Sequence, residues 1–241
     1  MKLIIDIGNS YTKVALIDNQ QVETIERYEI LSVETLELLI KKWQPSKSII
    51  SCVGKPNNEL INKLQLIQPT IILSSNTKIP IANKYKTPNT LGLDRVAAVV
   101  GANYLYPTSD LLVIDSGTAI TYDFINSKAE YSGGAISPGI MLRYKSLNQN
   151  TANLPLLNTL DLKNLIGENT SECIESGVLN GVIGEVDYFI DKIKLSHPSL
   201  KVVITGGNSD FFVNKLKNSI FVVQNLVLIG LNRILEFNAE R

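Results

Sequence analysis

Two stretches of this chain set a carboxylate where a phosphate-binding site would use one. Residues 3–18 read LIIDIGNSYTKVALID and residues 112–126 read LVIDSGTAITYDFIN. Asp6 and Asp115, Gly8 and Gly117, and Thr12 and Thr121 are each 109 residues apart. Each copy is an apolar β run ending in Asp-x-Gly, then small polar residues, then a second strand. The aspartate offers a carboxylate at the mouth of a sheet. The glycine permits a close backbone approach to a ligand. The residues after it present N–H groups and hydroxyls. Two such hairpins would clamp phosphates and supply two carboxylates for cations. Asp and Gly are also ordinary turn residues; it is the repetition, each time after an apolar β run, that favours the clamp. Thr205-Gly206-Gly207 follows the apolar run Val202–Ile204 and reads either as a place where an adenine ring meets bare backbone or as a plain strand-to-helix turn. No GxxxxGK[ST] and no GxGxxG after a strand occur.

Composition removes other chemistries. The 241 residues hold 23 Lys and Arg, 23 Asp and Glu, 44% apolar residues and 19% charged ones. The sequence pI is about 6.6 and the mean hydropathy +0.10. That is a globular composition. Zero net charge argues against a nucleic-acid partner, which calls for a basic excess. With the single histidine His197 in a Ser-His-Pro turn, a multi-histidine metal site and a Ser-His-Asp triad both fall away. Cys52 and Cys173 sit outside any CxxC spacing and read as buried thiols. No apolar run approaches the roughly 20 residues that span a bilayer, and the first residues do not resemble a secretory signal. The expectation is a cytoplasmic protein without a membrane partner.

The elements that must position these residues follow from periodicity. Three strands are expected from Lys2 to Ile30. A helix capped by Ser32 would bury Leu36, Leu39, Ile40 and Trp43. A strand over Ser48–Val53 leads to a helix with Pro56 in its first turn and Leu60, Ile61, Leu64 and Ile67 facing inward. A strand over Thr70–Leu73 closes the first lobe as βββαβαβ, an α/β pattern with a mixed sheet. Residues 74–90 read as a connector, Leu91–Leu105 as a helix, and 111–125 as the second hairpin. YSGGAISPG is a strand running into a glycine-rich turn. Leu142–Asn164 reads as helical in pieces. Ser171–Leu195 is a long amphipathic helix interrupted at Gly177, Gly181 and Gly184. Its apolar face would be a dimer surface or a core face. Phe211–Lys217 and Val227–Phe237 are further helical candidates. The expected domains are 1–110 and 111–241.

Four motifs carry a resemblance. DIGNS at 6–10, GLDR at 92–95, DSGTA at 115–119 and GGAISPG at 133–139 resemble, in order and spacing, the motif series of type III pantothenate kinases, within the actin-like ATPase and sugar-kinase superfamily. The resemblance runs from Met1 to at least Gly230. It implies an α/β fold of two duplicated actin-like (ribonuclease H-like) lobes, with mixed sheets flanked by helices and a central nucleotide cleft. It implies a homodimer that transfers the γ-phosphoryl group of ATP to the primary hydroxyl of pantothenate, the first step toward coenzyme A, without feedback by coenzyme A. It also implies potassium or ammonium together with magnesium.

Carried onto this sequence, the resemblance makes Asp94 the catalytic base. It assigns ATP contacts to Asp6, Ile7, Gly8, Asn9, Ser10, Tyr11, Thr12, Lys13 and Thr118. Pantothenate contacts fall to Tyr85, Gly92, Leu93, Asp94, Arg95 and Thr170. Asp115 matches the monovalent-cation ligand, and Asp6 would orient magnesium through water. The chain departs from the pattern at Ser10, where Thr is usual, at Leu93, where Ala is commonest, and at Ile120, where Thr is frequent. None of these removes a charged group. Lys13 reaches a phosphate or is a solvated strand-end lysine. Arg95 holds the pantothenate carboxylate or a carboxylate of its own lobe. Other readings are a different kinase or a phosphohydrolase of the superfamily, a non-catalytic accessory protein, and a filament subunit.

Overall fold

The structure is a computed structural model that describes residues 1–18, 21–53 and 57–239. The chain begins with β1 (Lys2–Ile7), β2 (Thr12–Asp18), β3 (Gln21–Tyr28), α1 (Val33–Trp43), β4 (Lys47–Cys52), α2 (Asn58–Ile67) and β5 (Thr70–Ile72). β1 pairs antiparallel with β2 and parallel with β4, giving a mixed sheet in the order β3-β2-β1-β4-β5. The periodic residues do what their spacing requires. Leu36, Leu39, Ile40 and Trp43 of α1 are buried, and the Ser32 hydroxyl accepts from the Thr35 N–H at 3.2 Å. In α2, Asn57 caps the helix through Leu60 N, and Leu60, Ile61 and Leu64 are buried. Ile67 differs from expectation and is 44% exposed, because Gln68 takes the next position on the buried stripe. Pro56 lies outside the described residues.

The connector contains β6 (Ala82–Asn83) and a single 3-10 turn at Pro88–Thr90, and α3 (Leu93–Leu105) follows. Next come β7 (Leu111–Ser116), β8 (Ala119–Ile125), β9 (Glu130–Pro138), α4 (Ile140–Gln149), α5 (Thr170–Lys194), β10 (Lys201–Thr205), β11 (Phe221–Val222) and α6 (Leu226–Ala239). The second sheet runs β11-β10-β7-β8-β9-β6. Counted within its own half, β9-β8-β7-β10-β11 repeats the first sheet's order, and β7 again pairs antiparallel with its hairpin partner and parallel with the following strand. The duplication suspected from two motifs therefore extends to the whole strand order.

Contacts divide the chain into two compact units. One comprises residues 1–107, 129–132 and 225–241, the other 108–128 and 133–224. In the first unit, Leu3, Ile5, Val14 and Leu16 pack under α1 and α2. Helices α3 and α6 meet backbone to backbone there. A Cβ on Gly101 would lie 2.5 Å from Leu226 O, and one on Gly230 would run into Ala97 O. In the second unit the core gathers Leu112, Ile114, Ile120 and Tyr122 with the apolar face of α5 and with Phe211 and Phe212.

Helix α5 is continuous through Gly177, Gly181 and Gly184; a Cβ at any of the three would meet open space, so their lower helix propensity is not joined by a packing demand. Its Ile174, Val178, Leu179, Val182, Val186 and Ile190 are buried in the unit's own core, so this apolar face is a core face and not a free surface for a second copy. Two helical expectations shrink. After α4, residues 150–169 carry no regular element, consistent with Pro155 and the Asn-rich composition there. Phe211–Lys217 reduces to a 3-10 turn at Ser209–Phe212, since Asn214 adopts a left-handed φ of 62°. Cys173 is exposed and Cys52 half-buried, against the expected burial of both thiols. Among the described residues no helix is long and apolar enough to cross a membrane.

Candidate active site

Both hairpins form, with different turns. In the first, Asp6 opposes Lys13 and Ile7 opposes Thr12, and Gly8 N donates to Tyr11 O at 3.1 Å. In the second, Asp115 opposes Thr121 and Ser116 opposes Ile120, and Gly117 N donates to Ala119 O at 3.0 Å. The second turn is one residue shorter. Thr121 thus stands in register with Lys13 and not with Thr12, so the ungapped match of the two threonines does not survive. The match of Asp6 with Asp115 and of Gly8 with Gly117 does. Asp6, Ile7, Gly8 and Lys13 are half-buried, Thr12 is buried, and Asn9, Ser10 and Tyr11 at the tip are exposed. That is the profile of a loop offering backbone and hydroxyl groups to a ligand.

The glycine motifs of the second unit converge on its hairpin. A Cβ on Gly134 would run into Tyr122 O. One on Gly139 would run into Gly117 O and lie 2.5 Å from Thr118 O, and Gly139 N donates to Thr118 O at 3.0 Å. Gly206, at φ +95°, places bare backbone against the Asp115 carboxylate; a Cβ there would run into Asp115 Oδ1 and lie 2.5 Å from Ser116 O. Asn208 N then donates to Ser116 O at 3.0 Å. The neighbour of Thr205-Gly206-Gly207 is therefore the second hairpin. GGAISPG and TGG brace the turn that carries Asp115 and Thr118.

GLDR opens α3. Leu93 and Asp94 occupy its first turn, at the positive end of the helix dipole. Asp94 Oδ1 accepts from Arg95 N at 2.8 Å. A Cβ on Gly92 would lie 2.6 Å from that same oxygen, so the glycine leaves room for the carboxylate. Arg95 is only 7% exposed, and its guanidinium lies over the Tyr85 ring at 5.9 Å. Tyr85 stacks on Tyr131 at 6.3 Å with the rings inclined by 15°. Tyr85 and Arg95, chosen separately in the sequence, are thus in contact, as a cation over an aromatic face. Thr170 belongs to the other unit. It starts α5 behind the Asn169 cap and lines an 840 Å³ groove with Arg143, Ser146, Leu154, Cys173 and Ile174.

Sequence reasoning passed over Arg143 and Glu185. Arg143 Nη2 donates to Glu185 Oε2 at 2.7 Å, and the Tyr122 hydroxyl donates to Glu185 Oε1 at 2.7 Å. Burial pushes the Glu185 carboxyl up, but hydrogen bonds from Arg143, Ser137 and Tyr122 outweigh it and hold the group below the usual range. Burial, with Glu185 beside it, raises the Tyr122 phenol well above its ordinary value. The partners are 42 residues apart, so no local pattern announces them. His197 has a structural role; its Nδ1 lies 2.8 Å from Asp110 Oδ2 and its ring tilts against Phe124.

Asp6 and Asp115 are hard oxygen donors at strand ends. This is the donor chemistry that suits magnesium or an alkali cation beside phosphates, and it does not suit zinc.

Two mixed sheets with one repeated strand order, each carrying an Asp-x-Gly hairpin, define the duplicated α/β fold of the actin-like ATPase and sugar-kinase superfamily. Solved structures agree. A candidate Baf family transcriptional activator from Campylobacter jejuni superposes with a TM-score of 0.64 at 23% identity, covering 99% of this chain and 100% of that one. The inorganic polyphosphate/ATP-glucomannokinase of Arthrobacter sp. strain KM superposes with a TM-score of 0.51 at 14% identity over the full length of both. At such identities the likeness is one of fold. Sequence goes further. The type III pantothenate kinase of Phocaeicola vulgatus is 42% identical over 239 residues, 99% of each chain. The family model described as type III pantothenate kinase matches residues 2–192. The chain belongs to the type III pantothenate kinase family.

Proposed function

We propose that Asp94 is the general base of an ATP-dependent pantothenate kinase. The reaction is transfer of the γ-phosphoryl group of ATP to pantothenate, the entry to coenzyme A synthesis, and like other kinases the protein works with ATP and a divalent metal. Similarity to a pantothenate kinase over 99% of the chain, at 42% identity, with Asp6, Asp94 and Asp115 all present, is the observation that carries this reading.

Phosphoryl transfer asks for positioning and charge stabilisation more than for covalent chemistry. Asp94 accepts the proton of the attacking hydroxyl, and such help contributes about 10²–10⁴-fold. Its place in the first turn of α3 holds the carboxylate at the open end of the helix. Tyr85, Gly92, Leu93, Arg95 and Thr170 hold pantothenate. Residues 6–13 and Thr118 hold ATP, with backbone groups of the two turns on the phosphates. Asp6 would hold magnesium, through water, and Asp115 potassium or ammonium. Cations bound with ATP neutralise charge that builds on the transferring group. The repeated strand order supports a duplication with halves 1–110 and 111–241. A cytoplasmic homodimer completes the proposal.

The test is phosphopantothenate formation in potassium and in sodium buffer, with Asp94→Asn alongside. Turnover that needs potassium and falls at least about 10²-fold in the variant is the expected result. Absence of product in both buffers, from folded protein, overturns the reading and favours an accessory role.

A further inference from the structure

We propose that Arg143 and Glu185 are positioning residues for the second phosphate hairpin, acting through the strap 137–139 without touching either substrate. The inference rests on the reading of residues 116–119 as a phosphate-binding turn.

The contacts form a closed circuit. Arg143 Nε donates to Pro138 O at 2.8 Å, and its Nη2 donates to Ser137 Oγ at 2.7 Å. One guanidinium thus holds two consecutive strap residues, which is what a planar fork with fixed donors does well. Glu185, from α5, orients that fork through Oε2 and accepts from Tyr122 through Oε1. Tyr122 lies in β8, the second strand of the hairpin itself. The strap ends at Gly139, whose N–H donates to Thr118 O and whose Cα has no room for a methyl against Gly117 O and Thr118 O. Starting from β8, the circuit passes through Glu185, Arg143 and the strap and returns to the same hairpin at Thr118.

That geometry leaves little slack. If the guanidinium lets go, the strap loses two anchors while staying in van der Waals contact with the turn, so the turn moves with it. Glu185 and Arg143 are each about three-quarters covered. Removing either partner leaves a charge in a site shaped for a pair, which costs far more than losing an exposed ion pair. Arg143 also lines the groove that holds Thr170. A direct contact with pantothenate is the rival explanation, and it predicts different kinetics.

The experiment uses the full chain and the variants Arg143→Ala, Arg143→Lys, Glu185→Gln and Tyr122→Phe. Equilibrium binding of a fluorescent ATP analogue with magnesium is measured first, then KM for each substrate, then the thermal midpoint. Arg143→Ala and Glu185→Gln are expected to weaken nucleotide binding by about tenfold or more, short of the roughly 10²-fold that a misplacement of 1 Å can cost. KM for ATP rises in parallel while KM for pantothenate stays within about twofold. Lysine, a point charge, restores part of the loss. Tyr122→Phe gives a smaller effect of the same sign. Unchanged nucleotide affinity with a raised KM for pantothenate overturns the proposal in favour of direct contact. Unchanged values for both overturn it in favour of a tie between α4 and α5 alone. If Arg143→Ala does not fold, Glu185→Gln, which keeps the side-chain shape, decides by the same readouts. Nucleotide binding is read without turnover, so wild-type protein that binds ATP and leaves pantothenate untouched defeats the proposed function and leaves this test standing.

Discussion

A carboxylate that takes a proton from an alcohol has to be held in place without being buried away from its substrate. Asp94 meets both needs by being half-buried in the first turn of α3, with one oxygen on the neighbouring backbone N–H. Gly92 protects that arrangement. Its backbone, at φ −58° and ψ 128°, suits any residue, so an alanine there meets only the Asp94 oxygen, the tip of a side chain that can rotate away. Gly92→Ala is therefore expected to leave the thermal midpoint nearly unchanged while kcat falls by about 10- to 100-fold and nucleotide affinity holds. Calorimetry beside steady-state kinetics checks it; a large loss of stability would mean that the glycine serves the backbone. At this scale the sequence was partly legible. Tyr85 could be named from the resemblance, but its contact with Arg95 could not, since the nine residues between them leave the connector and enter α3 with no regular period. Arg143 and Glu185 were silent, because a pair formed across two helices leaves no spacing rule behind.

Helices and strands with strong periodicity were the legible elements, and α1 with its Ser32 cap is the clearest case. Turns were harder. The two hairpins share Asp-x-Gly, yet a single residue of turn length moves Thr121 opposite Asp115, where the first hairpin has Lys13 opposite Asp6. Glycines meant opposite things in different elements. Gly177, Gly181 and Gly184 suggested breaks and made none, while Gly139, read in a glycine-rich turn, and Gly206, read as an adenine contact or a plain turn, both abut the second hairpin. Gly206→Ala is the sharper test of that bracing. A methyl at φ +95° costs about 1–2 kcal/mol in backbone strain alone and must also displace Ser116. The midpoint should fall by about 2–4 °C for each kcal/mol, and the potassium dependence of turnover should weaken as Asp115 is pushed aside. Just ahead of β7, Asp110 sits against His197. Burial raises the Asp110 carboxyl, but bonds from His197 and Ser127 outweigh it and hold the group below its ordinary 3.8. A carboxyl lowered by folding stabilises above its unfolded value and loses that contribution as pH falls through the folded value. Denaturation profiles should therefore show His197→Ala less stable than wild type at neutral pH, with the gap closing as Asp110 protonates in acid.

The repeated strand order makes each half a scaffold that delivers one hairpin, and the chain then has to fix where GLDR stands. Helix α3 is buried from Arg95 to Ala102, and α6, more than 100 residues later in the chain, packs on it at the closest range the backbone allows. Gly101 and Gly230 face each other across that contact; a Cβ on either would come within 3.0 Å of the other's nitrogen. Nothing local in either helix marks these glycines, since both sit where an alanine would raise helix propensity. Gly230→Ala is expected to destabilise the fold by about 1–3 kcal/mol, as overpacking does, and to lower kcat because α3 carries Asp94 on its first turn. Gly101→Ala should do the same through Leu226 O. The two methyl groups would widen one gap, and the second finds it already opened by the first. The double variant should lose less stability than the two single losses combined, by a coupling of about 0.5–3 kcal/mol. Urea denaturation of all four proteins measures that coupling. Strict additivity would mean that α3 and α6 adjust independently, and that the position of Asp94 does not depend on α6.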